Sequence, residues 1–178
     1  MLEEPAVLHP FLYVRKGNSK PQIIYGGTGV NSEDVEMPSG SPERYEVGTS
    51  PLPAIVSMHA GAGWLQSVGI DKAIRKNSHL RSLMVSLLED VPGVSLHGAS
   101  GVENTGIVAL TTDSYTPQEF NMALDIKGFC VRSGLHCAPL AHKALGTFPQ
   151  GVVRASLSWF CDEEHVRAFV SRVQALLE

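Results

Sequence analysis

The segment Arg132-Ser-Gly-Leu-His-Cys137 contains the residue types in this sequence that are best suited to chemistry. Cys137 carries a thiol, which reacts as the thiolate, and neighbouring cationic groups favour that form. Arg132 and His136 are the cationic groups nearest to it in the sequence, and Gly134 makes the segment flexible. The segment therefore predicts a sulfur nucleophile presented on a loop.

A second arginine lies downstream, in the middle of an alternating run of apolar and small residues. Arg154 is either on a solvated strand face or directed at an anion, and Arg132 has the same two interpretations. The planar guanidinium group matches a carboxylate in a two-point hydrogen-bonded arrangement. Arg154 is therefore a candidate carboxylate-binding residue.

The cysteine count bears on the compartment and on metal binding. Cys130, Cys137 and Cys161 are an odd set whose spacing does not form a disulfide framework, so a reducing cytoplasm is the simpler expectation. A zinc site made by Cys130, His136, Cys137 and His142 stays open as an alternative. However, no CxxC pair is present, and the spacing matches no common zinc pattern.

Gly48 and Thr49 precede a stretch rich in alanine and glycine that is typical of a closely packed helix. A hydroxyl group and backbone N–H groups near the start of a helix can bind a phosphate, although a simple helix cap is the alternative.

Two histidines are given no functional role by the sequence. His59, the single histidine of the stretch after Thr49, is expected to be packed and hydrogen-bonded. His97 forms no recognisable catalytic or metal-binding pattern with other residues.

Size and charge exclude several functions. The 178 residues allow one domain or two small ones, and 14 basic against 18 acidic residues give a net charge of −4. This composition provides no basic patch for nucleic acid and no polybasic strip for a membrane surface. No apolar run approaches the roughly 20 residues that span a bilayer, and the acidic N-terminus does not match a signal peptide.

The elements that must position these residues follow from periodicity and turn signals. Residues 11–14 and 22–25 predict a β-hairpin, and a long loop covers residues 31–49. Helices are expected over 54–68 and 70–88. From residue 91 onward the order is β-β-α-β-α-β-α, which predicts a small sheet covered by helices. The predicted strands are 94–96, 106–111, 129–132 and 151–159, and the predicted helices begin near 116, 139 and 162.

With these residues in view, the sequence resembles class V aminotransferase-like enzymes that use pyridoxal 5'-phosphate (PLP). The matching segments are FLYVRKG, YGGTG, SEDVEMP, PERYEVGTSPLPAI, VRSGLHCAPLAHKALGT and GVVRASLSWF. They run from about residue 11 to the C-terminus, and they are most similar to the cysteine desulfurase and selenocysteine lyase group. The resemblance implies an α/β fold, as the C-terminal part of a fold-type I transferase with an α+β small domain.

The resemblance also implies roles for single residues. Cys137 would take sulfur from L-cysteine as a persulfide and alanine would be released, while selenocysteine and other β-substituted amino acids stay open as substrates. Arg154 would hold the substrate carboxylate, and Arg132 and His136 would line the site. Gly48 and Thr49 would reach a cofactor phosphate, in this family often that of the other subunit of a homodimer. A sulfur-acceptor protein would be a further partner.

The same resemblance predicts what these 178 residues do not include. Family members carry a Schiff-base lysine just before the segment that matches residue 11, where this chain has MLEEPAVLHP. Lys143 belongs to the C-terminal family segment and does not replace that lysine. We therefore expect residues 1–68 to be a remnant of the large PLP-binding domain, 69–92 a linking helix and 93–178 the small domain, inactive alone. The alternative is a PLP-independent sulfur carrier or interaction module that keeps the Cys137 loop.

Overall fold

The structure is a computed structural model that describes residues 11–15, 17–18, 20–31, 33–98 and 106–178. The chain divides into two compact units, Met1–Ser67 (unit 1) and Val68–Glu178 (unit 2). The helices are α1 (Leu52–Val68), α2 (Ile70–Glu89), α3 (Pro117–Ile126), α4 (Pro139–Leu145) and α5 (Glu163–Leu177). The strands are β1 (Val94–His97), β2 (Ile107–Thr112), β3 (Arg132–Gly134) and β4 (Val152–Ser156).

Unit 2 contains a four-stranded sheet in the order β1-β2-β4-β3, and every neighbouring pair is antiparallel. The predicted order of strands and helices from residue 91 onward is confirmed. Strands β1 and β2 differ from their predicted bounds by one residue, whereas β3 is Arg132–Gly134 instead of 129–132 and β4 ends at Ser156 instead of residue 159. The sheet therefore places β3 at one edge, directly before the loop that carries Cys137.

One face of the sheet forms the core of unit 2. Because side chains alternate along a strand, Val153 and Ala155 of β4 point to the same side as Val108 and Leu110 of β2. This side packs against α2, α3 and α5, whose buried residues are Leu80, Met84, Leu88, Phe120, Leu124, Val166, Phe169, Val170 and Val173. The opposite face carries Arg154 and Ala109 and is not part of that core.

Local signals explain where the helices of unit 2 begin and end. Thr116 and Glu119 form the predicted capping box of α3, with Pro117 in its first turn. Helix α4 begins at Pro139 and ends before Gly146, whose φ of 73° is the left-handed conformation that closes many helices. Asp162 caps α5 by accepting a hydrogen bond from the backbone N–H of His165. These caps match the sequence predictions.

Unit 1 departs from the sequence predictions at its N-terminal end. The described residues of 11–14 and 22–25 form no strands, so the predicted hairpin is wrong. Ile23 is 87% exposed, and Phe11 and Tyr25 are also exposed, so neither run has the packed neighbours on which strand formation depends. The segment is instead tied by side chains: the Tyr45 hydroxyl bonds with the backbone of Lys20 at 2.8 and 3.0 Å.

The rest of unit 1 is a short 3-10 helix (Glu43–Tyr45) and helix α1, which begins at Leu52 rather than at the predicted residue 54. His59 lies exposed on α1, so the expectation of a packed histidine is wrong. Within the described part of the chain, no helix combines the length and apolar character needed to cross a membrane.

Candidate active site

Two arginines face each other across the β3–β4 pair. Arg132 and Arg154 are register partners, so their side chains leave the same face of the sheet with Cβ atoms about 5 Å apart. Ala109 of β2 occupies the next position in this row, and its small side chain leaves space beside Arg154. The structure thus brings together the two arginines that the sequence left between a solvated and an anion-binding role.

This pair has no compensating negative charge among the residues that the structure describes. The ion pairs present there are His79–Glu163, His165–Asp162 and Arg167–Glu163, and none of them includes Arg132 or Arg154. The Nε atom of Arg154 is buried and has no hydrogen-bond partner among the described residues. Like charges directly opposite each other destabilise a sheet, and a buried unpaired donor adds a further cost. A bound carboxylate would offset the repulsion between the two guanidinium groups and would accept a hydrogen bond from the buried Nε atom of Arg154.

Cys137 lies on the loop that follows β3, and the backbone of this loop is unusual. His136 and Cys137 have φ angles of 50° and 60°, so two consecutive non-glycine residues adopt the left-handed conformation. This conformation costs about 1–2 kcal/mol for each such residue. The N–H of Ala138 closes the turn by donating to the carbonyl oxygen of Leu135 at 2.8 Å. The turn leaves Cys137 exposed.

His136 connects the loop electrostatically to the arginines. Its Nε2 atom donates to the carbonyl oxygen of Arg132 at 3.2 Å, which fixes the imidazole beside β3. Partial burial lowers the pKa of His136, and the positive charges of Arg154 and Arg132 lower it further. The hydrogen bond to the Arg132 carbonyl opposes this shift, and the pKa of His136 stays below its ordinary value. His136 therefore supplies less positive charge to the Cys137 loop than the sequence predicted. Three of the predicted site residues lie together, with Cys137 next in the chain.

A close backbone contact supports the start of this loop. Gly151 precedes β4 with a φ of 81°, and a Cβ atom at this position would overlap the backbone of Gly134. Gly134 itself has a φ of 106°. Only glycine meets both requirements at Gly151, because it tolerates positive φ and has no side chain. The contact fixes the point at which β3 gives way to the Cys137 loop.

Two further histidines lie near this site, and the sequence suggested His142 only as a zinc ligand and no role for His97. His142 is the buried polar residue among those described, and its ring centroid lies 6.1 Å from that of His136. His97 was assigned no constellation, yet it stands in the same row across the sheet as Ala109 and Arg154. It is hydrogen-bonded to Thr111, and burial followed by the charge of His142 lowers its pKa. The alternation of side chains along β1 predicts the face of the sheet on which His97 lies. Its neighbours Ala109 and Arg154 follow only from the register of the strands.

The zinc alternative has no support in the geometry. Among the residues that the structure describes, no group of three or more His, Cys, Asp or Glu side chains is arranged to hold a metal ion. His142 instead bonds to Thr147, and His136 bonds to a carbonyl oxygen.

The predicted phosphate-binding residues lie in unit 1. Gly48 and Thr49 line a cavity of about 540 Å³ just before α1, together with Ser50. The N–H of Gly48 already donates to the carbonyl oxygen of Gly27 at 2.8 Å, so the exposed Thr49 is left to offer its hydroxyl. The residues lining this cavity include no lysine or arginine. The lining offers the hydroxyl groups of Thr49 and Ser50 to a phosphate, but it also includes the carboxylate of Glu46.

The lysines of unit 2 whose contacts are resolved are engaged elsewhere. The Nζ atom of Lys143 lies 5.1 Å from the ring centroid of Phe148, which is a cation–π contact. Lys72 and Lys76 lie over the ring of Trp159 at 5.7 and 4.9 Å, and Lys76 also donates to the Trp159 carbonyl oxygen at 2.6 Å. Lys143 is exposed on α4 and makes its contact with Phe148 at the surface.

The chain is similar in sequence to proteins of a known family. The family profile described as Aminotransferase class-V matches residues 10–169. A probable cysteine desulfurase of Aeropyrum pernix is 30% identical over 154 residues, covering 80% of this chain and 37% of the relative. Across the first curated relatives, this chain spans between 20% and 40% of their length.

Two solved structures share the fold. The apo cysteine desulfurase of Thermococcus onnurineus NA1 superposes with a TM-score of 0.72 at 28% identity, covering 76% of this chain and 34% of that one. A lysine-to-alanine mutant of C-DES, with glycine covalently linked to its PLP cofactor, gives 0.60 at 20% identity, covering 74% and 31%. The mixed helix and strand fold is therefore part of a fold-type I PLP-dependent transferase, as predicted.

Proposed function

Because the chain belongs to the aminotransferase class-V family, we propose that it forms the sulfur-accepting part of a cysteine desulfurase site. Cys137 accepts the sulfur of L-cysteine as a persulfide, and Arg154 and Arg132 bind the substrate carboxylate. The observation that carries this proposal is the cross-strand arginine pair beside the Cys137 loop, where Arg154 has a buried Nε without a partner.

The reaction requires only one covalent step at Cys137. Its Sγ atom forms a bond with the substrate sulfur while the carbon–sulfur bond of the substrate breaks. The electron pair of the broken bond stays with the carbon, which takes up a proton, and the product is alanine. PLP supplies the electron sink for this type of carbon–sulfur cleavage when it is bound. The two arginines fix the carboxylate and so determine which atom meets the thiol.

The remaining assignments follow from the family resemblance and are proposals. Gly48 and Thr49 contribute to a phosphate-binding site, in which the Thr49 hydroxyl donates a hydrogen bond. The protein is a cytoplasmic homodimer. It passes sulfur from Cys137 to an acceptor protein. The PLP ring and its lysine have no counterpart among the residues discussed above. We therefore expect these 178 residues alone to be inactive as a desulfurase.

A pair of alkylating reagents tests the proximity of Cys137 to the arginines. Iodoacetate carries a carboxylate and iodoacetamide does not, so the ratio of their rates reports positive charge near a thiol. Cys130 is also exposed and serves as the internal reference in the same sample. We expect the iodoacetate-to-iodoacetamide ratio to be about fivefold higher at Cys137 than at Cys130, measured by peptide mass spectrometry.

Arginine variants provide the control for this experiment. Arg154→Gln should lower the ratio at Cys137 to that of Cys130. Arg75→Gln makes the same charge change at an exposed position of α2, and it should leave the ratio at Cys137 unchanged. Equal ratios at the two cysteines in the unaltered chain would contradict the proposed carboxylate site. Release of alanine from L-cysteine by this chain with added PLP would contradict its inactivity.

A further inference from the structure

The left-handed pair His136 and Cys137 must be held by contacts with the rest of unit 2. Unfavourable backbone conformations persist at functional sites when the surrounding structure overdetermines them. The turn hydrogen bond between Ala138 and Leu135 closes the loop, but it is short-range and lies in an exposed segment. A second constraint from a buried group is needed to keep the loop in this one conformation.

His142 is the buried group in contact with this loop. It lies in the middle of α4, which begins two residues after Cys137, and only 5% of its surface is exposed. Its backbone N–H donates to the carbonyl oxygen of Ala138 at 3.2 Å. Its ring lies beside the ring of His136, tilted from it by an interplanar angle of 31°. His142 therefore contacts both sides of the strained turn.

The other edge of His142 is hydrogen-bonded to the segment between α4 and β4. Its Nδ1 atom is hydrogen-bonded to the Thr147 hydroxyl at 2.7 Å, and its carbonyl oxygen accepts from the Thr147 N–H at 2.9 Å. The carbonyl oxygen of Thr147 in turn accepts from the N–H of Gly151 at 2.7 Å. Gly151 is the residue whose backbone meets Gly134 at the end of β3. A continuous set of contacts thus runs from β3 through His142 back to the loop.

We propose that His142 is a positioning residue for Cys137. Its ring and its hydrogen bond to Thr147 hold the turn at His136 and Cys137 in the left-handed conformation, and so fix where the loop after β3 presents the thiol. The inference deepens the proposed function, because it concerns the same thiol. The conformational part can be measured without any desulfurase activity.

Hydrogen exchange tests the conformational part on the full chain. In His142→Ala, amide exchange in peptides covering residues 134–139 should be about tenfold faster, because the turn opens more often. Peptides from α2 and α5 should be unchanged, and His165→Ala, which removes an exposed histidine of α5, should have no effect on residues 134–139. Unchanged exchange in residues 134–139, or an equal increase in all peptides, would overturn the proposal.

The reagent ratio at Cys137 tests the positioning of the thiol separately. In His142→Ala the iodoacetate preference of Cys137 should fall to the value of Cys130, a change that general loss of stability does not produce in a folded variant. If the unaltered chain shows the preference and His142→Ala retains it, the positioning role is wrong and the proposed function stands. If the unaltered chain shows no preference, the proposed function fails, and hydrogen exchange alone decides the conformational role of His142.

Two milder variants keep the test decisive if His142→Ala does not fold. Thr147→Val removes the hydroxyl partner and preserves the side-chain shape, so it should speed exchange in residues 134–139. His142→Asn places an amide near the position of Nδ1, so it can keep the bond to Thr147 while the ring contact with His136 is lost. We expect its exchange rate to lie between those of the unaltered chain and Thr147→Val. Rates equal to that of the unaltered chain in both variants would overturn the proposal.

Discussion

Unit 2 and unit 1 differ in how their apolar residues are used. Of the 16 buried apolar residues among those described, Ala54 alone lies in unit 1, and the other members lie in unit 2. Unit 1 instead exposes Phe11, Ile23, Ile24 and Tyr25, each at 70% or more. A run of exposed large apolar residues marks a surface that is covered in the protein's working state. We therefore expect unit 2 to fold independently and unit 1 to need another surface against its exposed apolar residues.

The largest expected difference between the units is in resistance to proteolysis. Cleavage of a folded protein requires local opening, which is rare in a packed core and frequent where apolar contacts are few. We expect sites within residues 11–67 to be cut more than about 100-fold faster than sites in α2, β2 or α5 under the same conditions. Mass spectrometry of a time course identifies the sites. Equal resistance of the two units would remove the distinction between them.

A matched pair of leucine truncations compares the units at single positions. Leu124 is fully buried in unit 2, and Leu52 at the start of α1 is 66% exposed. Leu124→Ala should lower the free energy of unfolding by about 2–5 kcal/mol, because a cavity replaces packed methyl groups. Leu52→Ala should change it by less than about 0.5 kcal/mol. Urea unfolding followed by circular dichroism measures both, and a large loss for Leu52→Ala would show that unit 1 has a core after all.

The smallest expected effect is a dependence of unit 2 on pH. The pKa values of His136 and His97 lie below their ordinary value of 6.5, chiefly because of burial. Their contribution to stability is therefore fully present above pH 6.5 and is lost as the pH falls through the lowered values. We expect the free energy of unfolding to decrease from pH 7 to pH 5, by less than the loss in Leu124→Ala.

The control for this measurement is the double variant His97→Gln, His136→Gln, which should show a flatter profile over the same range. Hydrogen bonds to neighbouring groups lower the pKa values of the carboxylates of Asp162 and Glu163, and their contribution is lost at lower pH, below their ordinary values of 3.8 and 4.5. The two pH ranges are therefore separable. An unchanged slope in the double variant would assign the dependence to other groups.

The sequence allowed the fold of unit 2 to be predicted because its signals are local. The capping box at Thr116, Gly146 after α4 and the alternation around Val153 each act within a few residues of the chain. The prediction of a hairpin in unit 1 is wrong because strand formation there depends on residues that are distant in sequence. The residues around Phe11 and Ile23 have the composition of strands, but strands depend on neighbours that these residues do not have.

The candidate site shows the same limit. From their residue types, Cys137 and Arg154 could be proposed as a sulfur nucleophile and a carboxylate-binding residue, and the family resemblance supplied the reaction. The register that sets Arg132 opposite Arg154, and the burial of His142, depend on residues that are distant in sequence. No pattern within a short window contains that information, because a shift of one residue in register moves every side chain to the other face.

The contact of Trp159 with two lysines has a consequence for spectroscopy. The chain contains two tryptophans, and Trp64 belongs to unit 1 while Trp159 belongs to unit 2. Lys72 and Lys76 of α2 lie over the Trp159 ring, so the indole is next to two positive charges. These charges move away from the ring when α2 separates from the segment after β4. Each unit thus carries one tryptophan, and replacing Trp64 by Phe leaves a tryptophan emission that reports on unit 2 alone.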